Sequence, residues 1–123
     1  MKNTIFTGMA SAIVTPMKSD LTVDYEALGR FIDFQIENGI NAIVAVGTTG
    51  ESATLEPAEQ KEVIRFTVER AAGRVPVIAG TGTNNTEHVL ANTKAACEVG
   101  ADAILVVTPY YNKATQNGLI AHF

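Results

Sequence analysis

The 123-residue chain has one cysteine, no tryptophan and four prolines. With Cys97 alone an intrachain disulfide is impossible, and a cysteine-based metal framework lacks its ligands. No run approaches the ~20 apolar residues that a membrane-spanning helix requires. The stretch from Met1 to Gly8 carries no long apolar segment of the signal-peptide kind. Basic charge is not in excess either: nine Lys and Arg stand against thirteen Asp and Glu, for a net charge of −4. That removes the electrostatic footprint expected of a partner for nucleic acid or an anionic membrane. His88 and His122 have no ligand-like spacing, so no metal is expected, and both read as surface or partly buried residues. A cytoplasmic protein is the reading these absences leave.

What is present suits a folded domain. The chain is 46% hydrophobic and 18% charged, close to an ordinary globular composition. Four short apolar runs, Ala10 to Val14, Ala42 to Val46, Val75 to Ala79 and Ala103 to Val107, lack strict polar alternation. That pattern predicts parallel strands buried on both faces. Between them the period is helical. Leu28, Ile32 and Ile36 form one stripe; Val63, Ile64, Thr67, Val68 and Ala71 form a second; Val89, Leu90, Thr93, Ala96 and Cys97 form a third. Cys97 is therefore expected in the core. Asp24 is placed to cap the first helix and Pro57 to open the second, while Gly39, Gly73 and Gly100 follow the three segments. The order is βαβαβαβ, with Thr115 to Phe123 opening another helix.

Two architectures fit four such units: a small doubly wound sheet, or the N-terminal half of an eight-stranded (βα)8 TIM barrel, which needs ~250 residues in full. Periodicity does not separate them. The chain reaches Phe123 inside a helical segment without a cap or polar tail, so residues 1–123 are expected to be the first half of a single barrel domain, cut before its second half. The rival is a compact small domain ending there.

In either architecture ligands bind at the carboxyl ends of the strands. Those ends read Thr15-Pro16, Gly47-Thr48-Thr49-Gly50-Glu51, Gly80-Thr81-Gly82-Thr83-Asn84 and Thr108-Pro109-Tyr110-Tyr111. Each strand would deliver a hydroxyl to one rim. In the Gly47 to Glu51 turn, two hydroxyls and adjacent backbone N–H groups make a donor-rich concavity suited to a small carboxylate. The turn lacks a P-loop lysine, and Asn85 holds the third glycine position of a dinucleotide fingerprint, so nucleotide binding is disfavoured. Threonine and glycine at strand ends also serve as plain turn chemistry. Tyr110 and Tyr111, in extended backbone, would face opposite ways, leaving one to reach the rim.

These residues carry a resemblance. Ala42-Ile-Val-Ala-Val-Gly-Thr-Thr-Gly-Glu-Ser-Ala-Thr-Leu-Glu56 resembles the N-terminal signature of the dihydrodipicolinate synthase and N-acetylneuraminate lyase superfamily. Ala12-Ile-Val-Thr-Pro16, Arg74-Val-Pro-Val-Ile-Ala-Gly-Thr-Gly82 and Val107-Thr-Pro-Tyr-Tyr-Asn112 agree in register. Gly-Thr-Thr-Gly-Glu and Thr-Pro-Tyr-Tyr-Asn are similar to the dihydrodipicolinate synthase branch, since sialic acid lyases usually carry serine at the position of Thr48.

The resemblance implies a (βα)8 barrel that condenses pyruvate with aspartate semialdehyde on the way to lysine and diaminopimelate. A sixth-strand lysine would form a Schiff base with pyruvate. By the same resemblance Thr49, on the turn that begins at Gly47, holds the pyruvate carboxylate, and Thr48 and Tyr111 belong to a hydroxyl proton relay. Tyr111 would reach a neighbouring subunit's site, implying a homo-oligomer, commonly a dimer of dimers. A third relay tyrosine, a substrate arginine and the Schiff-base lysine would lie beyond Phe123. No metal or organic cofactor is implied. None of Lys2, Lys18, Lys61, Lys94 or Lys113 stands where the family places its nucleophile, so the 123 residues alone are expected to be inactive. Asn84 and Tyr110 match an interface pocket that binds lysine in some members, but Gln60 and His88 replace its histidine and glutamate. Weak or absent lysine inhibition is expected. The competing functions are a sugar-acid aldolase of the same superfamily and a non-catalytic carboxylate-binding module.

Overall fold

The computed structural model describes residues 4–123. Four strands, β1 (Ala10–Ala12), β2 (Ala42–Ala45), β3 (Val77–Gly80) and β4 (Ala103–Leu105), alternate with helices α1 (Tyr25–Glu37), α2 (Pro57–Ala71), α3 (Thr86–Glu98) and α4 (Gln116–His122). All pairings are parallel, with Ala10 opposite Ala42, Ile43 opposite Val77 and Ile78 opposite Ala103.

The strand order decides the architecture. It runs β1-β2-β3-β4 without reversal, whereas a doubly wound sheet reverses at a switch point. Right-handed crossovers in one direction put every helix on the same face, and α2 packs between α1 and α3. This is the N-terminal half of a (βα)8 barrel.

Local chemistry explains the boundaries. Asp24 caps α1, its carboxylate accepting from the Ala27 N–H at 2.9 Å. Pro57 opens α2, where its missing N–H costs nothing, and Glu59 accepts from the Glu56 N–H at 2.9 Å. Thr115 caps α4 by accepting from the Gly118 N–H. Gly39, Gly73 and Gly100 all adopt positive φ just past their helices. The third strand begins at Val77, two residues later than its apolar run. Pro76 has no N–H for a ladder, and the Val77 N–H is taken by the Asp102 carboxylate at 2.8 Å.

The core lies between the sheet and the helices. Leu28, Ile32, Ile43, Val63 and Val77 are essentially inaccessible, and each such side chain contributes roughly 1.5–3 kcal/mol of burial. The α1 and α2 stripes pack as their periods predict. The α3 stripe does so only in part: Val89 and Ala96 are buried, but Leu90 is 67% exposed and Cys97 is exposed. The expectation of a core Cys97 is therefore corrected. Each lies one residue, about 100° of helix, past a buried position, on the flank that α2 does not cover. Burial on both faces also holds only for β2; in β3, Val77 and Ala79 are buried while Ile78 and Gly80 are partly open. β2 is buried throughout, while Ile104 and Leu105 of the edge strand β4 are open.

On the outer surface, Arg70 and Arg74 of the α2 end converge on Asp33 of α1. Hydrogen bonds from Arg74 and Arg70 hold the Asp33 carboxyl below its ordinary value. Among the described residues, no helix is long and apolar enough to cross a membrane.

Candidate active site at the strand ends

The carboxyl ends of β2, β3 and β4 surround a small cavity of about 40 Å³ lined by Gly47, Thr48, Ser52, Gly80, Gly82 and Val107 among others. Beside it a larger cavity of about 310 Å³ is lined by Thr48, Glu51, Ser52, Gly82, Val107 and Tyr110. Thr48 and the Gly80 to Gly82 segment, singled out by motif, thus share one site.

Backbone strain shapes the turn. Val46 and Glu51, at either side of Gly47-Thr48-Thr49-Gly50, have φ of 56° and 58°. For a β-branched residue the left-handed region is a true outlier; it costs on the order of 1–3 kcal/mol and persists only where its surroundings enforce it. They do so here. Val46 is buried, and Gly80 lies so close that an added Cβ would stand 2.2 Å from the Val46 carbonyl oxygen. Gly82 is pressed equally close to the Val107 N–H. These two glycines are needed for close approach of backbone segments, and that approach closes the floor of the cavity. Glu51 N–H donates to the Thr48 carbonyl at 3.1 Å, and the Thr54 hydroxyl donates to the Glu51 carbonyl at 3.0 Å.

The rim hydroxyls divide into two kinds. Thr15 is buried and donates to the Gly50 carbonyl at 2.7 Å. Thr81 is buried and accepts from Thr93 at 3.0 Å. These two act as internal struts, so the expectation that every strand presents a hydroxyl to the rim is corrected. Thr48 and Thr49 are exposed, and among the described residues their hydroxyls remain uncommitted. Two free hydroxyls beside a tight turn can receive a small carboxylate, or pass protons when a partner hydroxyl arrives.

The tyrosines separate, for a different reason from the one expected. Tyr111 is not extended; its φ is 72°. Tyr110 lines the larger cavity with Thr48, whereas Tyr111 is 96% exposed and turned to solvent. Thr48 and Tyr111 are not brought together within one chain. Asn112 donates to the Asn84 carbonyl at 2.9 Å and ties the β3 loop to the β4 loop. His88 is exposed, and Nδ1 of the partly buried His122 is 2.8 Å from the Thr86 hydroxyl.

Lys61 lies on α2, where it pairs with Glu98, and Lys94 lies on α3. Lys18 and Lys113 are in loops, and Lys2 lies outside the described residues. Among those described, no group of three or more His, Cys, Asp or Glu converges as a metal site. The sequence reading missed Ser52, which lines both cavities, and Val46. Ser52 could have been found by its place directly after the turn, but nothing in a valine announces a left-handed backbone.

Residues 5–123 match the Dihydrodipicolinate synthetase family. The 4-hydroxy-tetrahydrodipicolinate synthase of Lachnoclostridium phytofermentans is 60% identical over 119 residues, covering 97% of this chain and 40% of that protein. Among solved structures, the dihydrodipicolinate synthase of Aquifex aeolicus superposes with a TM-score of 0.92 at 56% identity, over 95% of this chain and 40% of that one. The chloride-inhibited dihydrodipicolinate synthase of Acinetobacter baumannii, complexed with pyruvate, gives 0.93 at 52% identity, over 97% and 40% respectively. The chain thus spans about two fifths of the length of these relatives. With a match that runs through all four strand ends, the chain belongs to the dihydrodipicolinate synthetase family.

Proposed function

We propose that these residues are the opening half of a 4-hydroxy-tetrahydrodipicolinate synthase, a Schiff-base lyase that condenses pyruvate with aspartate semialdehyde. The observation that carries this reading is the pair of uncommitted hydroxyls, Thr48 and Thr49, on a strained glycine turn at the end of β2. Thr49 and the N–H groups from Gly47 onward receive the pyruvate carboxylate. The lysine amine, supplied by the second half of the barrel, adds to the pyruvate carbonyl and water leaves. Loss of a methyl proton then gives the enamine, whose carbon attacks the aldehyde. Thr48 passes protons in this sequence. Its relay partner Tyr111 comes from a neighbouring subunit, which the near-complete exposure of Tyr111 supports. The working form is then a homo-oligomer, a dimer of dimers, needing no metal or organic cofactor and acting in the cytoplasm.

The test is substrate choice by the complete protein that contains this chain. Turnover of aspartate semialdehyde with pyruvate is expected. Cleavage of sialic acid or a keto-deoxy sugar acid in its place would favour a sugar-acid lyase.

Feedback by lysine is proposed to be weak or absent. A cavity of about 250 Å³ beside the turn is lined by Ser52, Gln60, Thr83, His88 and Asn92 among others, with Tyr110 and Asn84 on the neighbouring loops. The Gln60 amide already donates to the Ser52 and Leu55 carbonyls at 2.9 and 3.1 Å. With His88 in place of a carboxylate, the ligand's ammonium lacks a charged acceptor. Steady-state rates should change little as lysine is added; strong inhibition at low lysine would contradict this.

A further inference from the structure

We propose that Thr15 is a positioning residue for the carboxylate-binding turn, acting through the Gly50 carbonyl. This rests on the pyruvate-binding role proposed above for that turn. Val46 and Glu51 hold left-handed backbone on either side of the turn, and such backbone persists only when its surroundings over-determine it. On the solvent side the restraints are exposed, namely the Glu51 N–H to the Thr48 carbonyl and the Thr54 hydroxyl to the Glu51 carbonyl. On the barrel side the restraint is Thr15. Its buried hydroxyl, 35 positions away in sequence, donates to the Gly50 carbonyl at 2.7 Å.

Gly50 is seated against the end of β1 as well. A Cβ there would stand 3.2 Å from the Ile13 carbonyl oxygen and 3.1 Å from the Val46 nitrogen. The β1 end and the turn are therefore latched, and the latch sits directly beside Thr49. Replacing the hydroxyl by a methyl group of similar size leaves the Gly50 carbonyl buried without a donor. An unsatisfied buried acceptor is costly enough to drive a shift of the turn toward water. That shift displaces the Thr49 hydroxyl, next to Gly50, while leaving the core packing and the Thr48 hydroxyl in place.

The test compares Thr15→Val, Thr15→Ser and Thr67→Val in the complete protein. Thr67 controls for loss of a buried threonine hydroxyl as such: it is buried and donates to the Val63 carbonyl at 2.7 Å within α2, away from the turn. Thr15→Val should raise the pyruvate KM about tenfold with kcat changed less than twofold, the signature of lost uniform binding. Thr15→Ser should restore KM to within twofold, and Thr67→Val, where the Val63 carbonyl keeps its helical N–H donor, should leave KM unmoved. An unchanged KM in Thr15→Val, or the same rise in Thr67→Val, would overturn the proposal. A crystal structure of Thr15→Val separates this failure from failure of the substrate reading. A turn that keeps the wild-type dihedrals at Val46 and Glu51 would refute the positioning role whatever the substrate. If Thr15→Val does not fold, Thr15→Ala is read by the same criteria.

Discussion

Gly80→Ala is expected to destabilise the complete barrel by about 3 kcal/mol or more, the upper end of overpacking effects. The new methyl group would lie 2.2 Å from the Val46 carbonyl oxygen and 2.8 Å from the Gly47 nitrogen. Both are backbone atoms, so no side chain can swing aside to relieve the contact. Relief requires β2 and β3 to part, yet their register pairs Ile43 with Val77, Val44 with Ile78 and Ala45 with Ala79 at the centre of the sheet. The alternative is for Val46 to leave its left-handed conformation, which carries the Gly47 to Glu51 turn with it. Stability and the pyruvate binding proposed for that turn should therefore fall together. Urea unfolding measures the first; a loss below about 0.5 kcal/mol, typical of an ordinary surface change, would show that the close approach at Gly80 is unimportant.

Thr48→Val should have the larger effect on chemistry. Thr48 is exposed at the cavity mouth, so valine removes a hydroxyl without leaving a buried group unpaired, and the fold should be retained. If the hydroxyl passes a proton in the condensation, its loss costs roughly 10²–10⁴ in rate, the usual range for positioned proton transfer. The fall should appear equally in kcat and kcat/KM, because the interaction belongs to the transition state. Thr48→Ser should keep most of the activity. A valine variant within threefold of wild-type kcat would remove Thr48 from the relay.

Much of this molecule was legible before its coordinates. Asp24, Pro57 and the glycines after each helix announce boundaries because capping chemistry is local, and the structure places them there. The Gly47 to Glu51 turn was legible for the same reason. Strand order was not: a buried parallel strand has the same composition in an arc as in a doubly wound sheet. Rim hydroxyls posed a similar difficulty. Thr15 and Thr48 both follow apolar strands, yet one is buried against Gly50 and the other is exposed. That difference depends on how closely two backbones approach, which glycine permits but does not reveal. Leu90 and Cys97 failed as core residues because a helical stripe wider than one neighbour can cover leaves part of itself open. Tyr111 was expected in extended backbone, and its left-handed φ of 72° is a tertiary choice at the β4 loop.

Borohydride trapping with pyruvate, followed by mass spectrometry of the modified peptide, locates the Schiff-base lysine directly. It should be run on the complete protein and on residues 1–123 alone. One reduced pyruvate adduct is expected in the complete protein, on a lysine of the second half of the barrel, and none on the lysines of the 123 residues. An adduct on Lys2, Lys18, Lys61, Lys94 or Lys113, or no adduct in a complete protein that turns over pyruvate, would contradict it.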